Sequence, residues 1–182
     1  GVDEKTDLAL LEIKADKTLP YVEFGDSGAV RVGDKVLAIG NPFGLGGTVT
    51  AGIVSATGRE IGQGPYEDFL QVDAPINRGN SGGPTFNLRG QVVGVNTAIF
   101  SPSGGSIGIG FAISSNLAKQ IVADLQDDGK VERGWLGVSI QQVDPDIAAS
   151  LGMDKTSGAL VAKVEPKSPA ASAGIKNRDV IV

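Results

Sequence analysis

The apolar residues of this chain come in short runs, many of them alternating, and glycine- and proline-rich stretches separate them. That pattern predicts strands joined by tight turns. Residues 8–13 read as a short buried strand, and residues 36–39 as another. Residues 48–56 alternate and are rich in β-branched side chains, which fit a pleated, half-buried surface. Residues 69–74, 92–98 and 107–113 continue the series at the spacing of an all-β sandwich or barrel. The period then lengthens. Leu117, Ile121, Val122 and Leu125 recur at helical spacing, with Ser114 or Ser115 as N-cap and Gly129 as the stop. The charged stretch "DDGKVERG" over 127–134 marks a domain boundary, dividing the chain into 1–130 and 131–182. Beyond it the pattern predicts strand 136–142, helix 146–151, strand 159–164, helix 169–173 and strand 180–182.

Composition narrows the class. With 182 residues, 41% apolar and 20% charged, the chain has the profile of a globular protein with a sizeable core. Its 27 glycines favour a turn-rich β design over a helical bundle. A net charge of −5 without a Lys/Arg cluster argues against nucleic acid as a partner. No apolar run reaches the length of a membrane-spanning helix. Cysteine is absent, which removes disulfides and thiolate metal sites without fixing the compartment. Histidine is absent too, and with it the commonest general base and metal ligand. The chain opens "GVDEK" without an initiator Met and closes "NRDVIV" inside an apolar run, so it is expected to be a fragment cut at both ends.

The candidate chemistry lies in "INRGNSGGPT", residues 76–85. A nucleophilic serine needs an exposed Oγ, backbone N–H groups aimed at the developing oxyanion, and a sharp bend that permits both. Gly79, Gly82 and Gly83 tolerate the dihedrals such a bend requires. Ser81 is then the candidate nucleophile, with the N–H groups of Gly79 and Ser81 as the oxyanion hole. By itself a GxSGG sequence is equally a flexible turn. "GNPFGLGG" over 40–47 is not a phosphate loop, because no GK[ST] ending or helix follows it.

The flanking motifs go further. "TDLALLEI", "GDKVLAIGNPFGLGGTVTAGIVSATGR" and "APINRGNSGGPTFNLRGQVVGVNTAIFSPSGGSIGIGFAI" occur in this order, and together they resemble the HtrA (Deg) family of trypsin-like serine proteases. The resemblance implies an all-β, trypsin-like double β-barrel whose first barrel is incomplete here, followed by a truncated α+β PDZ domain. It places the nucleophile at Ser81 and the triad aspartate, which orients a histidine, at Asp7. The family's histidine precedes that aspartate, so truncation accounts for its absence and this chain alone is expected to be inactive. Ile76, Ile107 and Ile109 map to the primary specificity pocket, and their aliphatic side chains suit a small or medium apolar residue such as Val or Ala. Asn96, Thr97 and Ala98 map to the edge that pairs with an extended substrate. The loop 100–106 maps to a segment that takes part in activation.

In the second domain, "RGWLGVSI" resembles the start of a bacterial PDZ domain, with Trp135, Leu136, Gly137 and Val138 at the loop that holds a peptide C-terminus. Arg178 stands where the family usually has glycine, so either the turn is strained or it is not left-handed. By resemblance, the complete protein is a serine endopeptidase of protein quality control in the bacterial cell envelope, in the periplasm. It degrades misfolded or unfolded polypeptides and assembles from trimers, with no metal or other cofactor implied. Two readings of other classes stay open: a non-catalytic, chaperone-like peptide binder using the same clefts, and an assembly module that only presents PDZ domains.

Overall fold

The computed structural model describes residues 1–62, 64 and 66–182. They form two compact units, Gly1–Val131 and Glu132–Val182.

In the first unit, strands β1 (Val2–Asp3) and β2 (Leu8–Ala9) make a small antiparallel pair. Strands β3 (Lys35–Gly40), β4 (Thr48–Arg59), β5 (Phe69–Val72), β6 (Pro84–Asn87), β7 (Val92–Ile99) and β8 (Gly110–Ser114) close into a barrel in the order β3-β4-β5-β8-β7-β6. Every pairing in the barrel is antiparallel. Register shifts after Val54 and after Ala56 let the long β4 bend around it. The barrel interior is filled by Val36, Ala38, Val54, Leu70, Val72, Ala74, Ile76 and Val93. Leu70, Ile76 and Val93 are essentially inaccessible to solvent, and burial of each such side chain contributes roughly 1.5–3 kcal/mol.

Helix α1 (Ser115–Asp127) covers one side of the barrel. Ala118, Ile121 and Leu125 lie at helical spacing and pack with Leu8, Phe69, Phe111 and Ile113. Phe69 and Phe111 meet edge to face, with ring centroids 6.1 Å apart. Ser114 caps the helix by accepting the Leu117 N–H, and its hydroxyl also donates to Asp68. Gly129, at φ 71°, donates its N–H to Leu125 O and ends it.

The second unit holds strands β9 (Val138–Gln142), β10 (Ala159–Val164) and β11 (Val180–Ile181), in the order β11-β10-β9, with short helices α2 (Pro145–Ser150) and α3 (Pro169–Ser172). Asp144 and Ser168 cap these helices through their side-chain oxygens. Among the described residues β9 pairs only with β10, which leaves its other edge open.

Three expectations change. The predicted strand at 8–13 is assigned over Leu8–Ala9, paired with β1, and the Leu10 N–H donates to Gly1 O at 2.9 Å. Leu11 and Ile13 beyond it are 82% and 74% exposed. The predicted strand at 107–113 begins at Gly110, because Gly108 at φ 82° breaks the extended backbone before it. Strand β6 was not predicted at all: it opens on a proline and has only four residues, yet it closes the barrel between β3 and β7.

Candidate active site

The connection from β5 to β6 carries Ser81, and its course is fixed by the barrel around it. The Asp73 carboxylate accepts the Ile53 N–H at 2.6 Å, and Thr50 Oγ1 donates to Pro75 O at 2.9 Å. Ile76 then enters the core, 1% exposed. Residues 77–80 form a turn closed by the Asn80 N–H donating to Asn77 O at 3.0 Å, with Gly79 at φ 98°. A left-handed residue at the third position is the mark of a type II turn.

A second turn, residues 41–44, holds the central peptide of the first. The Phe43 N–H donates to Arg78 O at 3.0 Å, and the Asn41 N–H to Gly79 O at 3.1 Å. The peptide joining Arg78 and Gly79 is trans. Its N–H therefore points opposite to the Arg78 carbonyl, away from the 41–43 backbone. A Cβ at residue 79 would collide with the Asn41 carbonyl oxygen, so glycine is needed for space as well as for φ. Among the described residues the N–H groups of Gly79 and Ser81 make no hydrogen bond.

Past the serine, the Gly82 N–H donates to Asn96 O and the Asn96 N–H to Gly83 O, both at 2.8 Å. Asn80 lies against Gly40, where a Cβ would sit 2.6 Å from Asn80 Cα. Asn80 is 1% exposed, and its Oδ1 has no partner among the described residues.

Ser81 is exposed, and its Oγ donates to Thr97 O at 2.9 Å. The Thr97 side chain turns the other way, and its Oγ1 donates to Asp7 Oδ2 at 2.8 Å. Asp7 is the last residue of the turn between β1 and β2, where Thr6 Oγ1 donates to the buried Asp3 carboxylate at 2.6 Å. Asp7 itself is left-handed, at φ 58°. A non-glycine residue held in that region signals a backbone constrained by its surroundings. Ser81 and Asp7, far apart in the chain, thus meet on one residue of β7.

A cleft of about 240 Å³ opens beside Ser81. Ile76, Asn77 and Arg78 line one side, and Thr97, Ala98, Ile99, Ser101 and Gly104 the other. Of the three isoleucines expected there, only Ile76 contributes. Ile107 is 51% exposed on the loop, and Ile109 packs toward Phe111 and α1 instead. Asn96 also differs from expectation. Its side chain is buried, accepting from Thr85 Oγ1 and donating to Ile39 O, and both its backbone groups are bonded to the serine turn. It braces that turn from the barrel and has no edge left for a substrate; Thr97 and Ala98 border the cleft. The sequence did not reveal that Thr97 joins the serine to the aspartate, because that role arises from β7 passing between two segments distant in the chain.

In the second unit, Gly137 takes φ 81° and packs against Ser168. Glu165 N–H donates to Gly137 O at 2.8 Å, and Ala170 N–H to Leu136 O at 2.9 Å. These bonds anchor the carbonyls of the 135–138 loop. Among the described residues the N–H groups of Trp135, Leu136 and Gly137 have no bond. No group of three or more potential metal ligands gathers among the described residues. No helix in them is long and apolar enough to cross a membrane.

Comparison with known proteins places the chain in a family. Residues 1–95 match the trypsin-like peptidase domain, and the chain belongs to that family. Its relatives are described as DegP-like and its structural neighbours as HtrA-type proteases, and its barrel is that of the trypsin-like fold. It is 62% identical over 181 residues to a protein of Rhizobium meliloti described as a probable periplasmic serine endoprotease DegP-like. It is 64% identical over 182 residues to a protein of Brucella suis with the same description. Each alignment covers all of this chain and 36% of the relative, so the chain spans little more than a third of these relatives' length. Among solved structures, the HtrA-type protease AlgW with a decapeptide aligns with a TM-score of 0.85 at 52% identity, over 99% of this chain and 55% of AlgW. A serine endoprotease from Yersinia pestis aligns with a TM-score of 0.70 at 43% identity, over 97% of this chain and 55% of that one.

Proposed function

We propose that the full-length protein carrying this sequence is a periplasmic serine endopeptidase that cleaves unfolded or misfolded polypeptides through Ser81. The observation that carries this is the meeting of Ser81 and Asp7 at Thr97, beside the unbonded N–H groups of Gly79 and Ser81.

In this reading Ser81 Oγ attacks the scissile carbonyl carbon while a histidine from outside these residues takes its proton. The carbonyl oxygen becomes an oxyanion, and the Gly79 and Ser81 N–H groups receive it. The histidine returns the proton to the leaving amine, which departs and leaves an acyl ester on Ser81; water then releases the acyl group by the same steps. Asp7, its carboxylate fixed by Thr97 Oγ1, holds the imidazole in the tautomer that accepts from serine and stabilises it once protonated. The 182 residues contain no histidine, so the isolated chain hydrolyses nothing measurable.

Ile76 closes the floor of the cleft. A Cβ on Gly110 would lie 2.9 Å from Ile76 Cδ1, so Ile76 already fills the space above Gly110. The remaining room suits Val or Ala at the cleaved position. An extended substrate borders Thr97 and Ala98. The second unit acts as a PDZ domain: the unbonded N–H groups at 135–137 hold a peptide C-terminal carboxylate, and the open edge of β9 accepts the peptide as another strand. The full-length protein assembles as a trimer or a multiple of one.

The absence of histidine favours a second reading for this chain in isolation, a peptide binder without hydrolysis. Digestion of a denatured protein separates the two. The full-length protein is expected to degrade it, while the Ser81→Ala form and the 182-residue chain leave it intact. Equal degradation by wild type and Ser81→Ala would refute the assignment of Ser81.

A further inference from the structure

Among the described residues that line the cleft beside Ser81, Arg78 alone carries a charge. Its backbone is fixed: its carbonyl oxygen accepts the Phe43 N–H at 3.0 Å, and the constrained Gly79 follows it. Its side chain is exposed, and the guanidinium makes no hydrogen bond or ion pair among the described residues. An arginine with a structural role gives its N–H donors to carbonyls or carboxylates; Arg78 gives none. The acidic group of the site does not neutralise it either. Asp7 is bonded to Thr97 Oγ1 and does not line this cleft. In a chain with a net charge of −5, the cleft therefore presents an unpaired cation.

We propose that Arg78 is a specificity-determining residue for the hydrolysis inferred above: its guanidinium favours substrates that carry aspartate or glutamate two positions from the cleaved residue. The inference rests on the endopeptidase reading. Its physical basis is the pleat of an extended substrate. Successive side chains of a strand point to opposite faces. When the side chain of the cleaved residue enters the cleft, its immediate neighbours point away from it. The residues two places before and two places after point to the same face, about 7 Å along the chain. Arg78 stands at that face, on the wall opposite Thr97 and Ala98. Its long stem lets the guanidinium meet a carboxylate there, and its planar fork matches that carboxylate through two parallel hydrogen bonds. No aspartate or glutamate of the cleft competes for it. Because the pair is exposed, it gives a preference and not a requirement.

The test uses the full-length protein and pairs of peptides that differ only by glutamate against glutamine, placed in turn at each position around a cleaved valine. The quantity read is the ratio of kcat/KM within a pair. Wild type is expected to favour glutamate roughly two- to fivefold at low salt, at one or both of the positions two places from the valine. The ratio is expected to fall to about 1 near 1 M salt, where the Debye length is about 3 Å. Arg78→Gln is expected to abolish the preference, Arg78→Glu to invert it, and Arg78→Lys to keep most of it. Each ratio compares two peptides on one enzyme, so a variant that is merely less active leaves it unchanged. Should a variant fold poorly, the salt series on wild type decides alone. Equal rates for both peptides of the wild-type pairs overturn the proposal, as does a preference that survives high salt or Arg78→Gln. Slower hydrolysis of both peptides by Arg78→Gln with the ratio intact would mark a structural arginine and overturn it too. An inert wild type overturns the endopeptidase reading and the proposal with it, whereas an active wild type indifferent to glutamate overturns the proposal alone.

Discussion

Residues 77–80 and residues 176–179 form the same kind of turn with different residues at the critical position. In each, the fourth N–H donates to the first carbonyl, at 3.0 Å for Asn80 to Asn77 and 3.1 Å for Asp179 to Lys176. In each the third residue is left-handed, Gly79 at φ 98° and Arg178 at φ 77°. The first turn has glycine and the second does not. The surroundings explain the difference. Gly79 is pressed against the backbone of residues 41–43, with no room for a Cβ, and its N–H is left unbonded. Arg178 points into solvent, and its N–H is used structurally, donating to Val161 O at 2.8 Å. A left-handed turn alone tolerates strain. A left-handed turn that must also lie against another backbone and present a bare N–H does not.

The largest effect should come from inserting a side chain where the 41–43 backbone leaves no room for one. Gly79→Ala in the full-length protein is expected to lower kcat by about a hundredfold or more, the scale for losing an oxyanion donor. Steady-state kinetics with a peptide substrate would show it, and near-wild-type kcat would break the comparison. Thr97→Val leaves the turn backbone alone and removes the hydroxyl that bonds Asp7. A fall in kcat of roughly tenfold to a hundredfold is expected, the worth of a hydrogen bond to a charged group. If Thr97→Val matched wild type, Asp7 would not depend on this contact.

The opposite substitution belongs in the other turn. A left-handed backbone costs an L residue about 1–2 kcal/mol, and glycine gives back about 0.5–1 kcal/mol in unfolded-state entropy. Arg178→Gly is therefore expected to stabilise the second unit by roughly 0.5–1 kcal/mol in denaturant titrations. A destabilised variant would mean that the arginine side chain makes a contribution beyond its backbone.

The smallest effect concerns a third local turn, at Asp26. The Asn116 amide and then the Gly28 N–H hold its carboxyl below the ordinary value of 3.8, with a lesser contribution from Lys119. A lowered pKa stabilises the fold above the unfolded value, and that stability is lost as pH falls through the folded value. Asp26→Asn is expected to make the acid limb of the stability curve, below about pH 4, slightly shallower. An acid limb unchanged by the substitution would mean that Asp26 carries none of this dependence.

Helix α1 and strand β10 were legible in the sequence, because each has its full hydrophobic period between recognisable stops. Ser114, Gly129 and the apolar positions Leu117, Ile121 and Leu125 delimit the helix without tertiary information. Strand β6 was not legible: Thr85, completely buried, looks polar, and its burial depends on Asn96 reaching across to receive its hydroxyl. Leu11 and Ile13 look like a core strand, but among the described residues no strand pairs with them and they are exposed. In the site, Ser81 and its glycines follow from local chemistry. The roles of Thr97 and Asn96 do not, because each acts on a segment far from it in the chain.

The central claim is that Ser81 is a nucleophile set into a working oxyanion site. A fluorophosphonate probe tests it most directly, applied to the full-length protein with this 182-residue chain as control and read by intact mass and peptide mapping. The account predicts one adduct, on the peptide containing Ser81, in the full-length protein and none in the isolated chain. No adduct in a correctly folded full-length protein would contradict the nucleophile. An adduct on the isolated chain would show that Ser81 is activated without histidine, contrary to a mechanism in which an imidazole takes its proton.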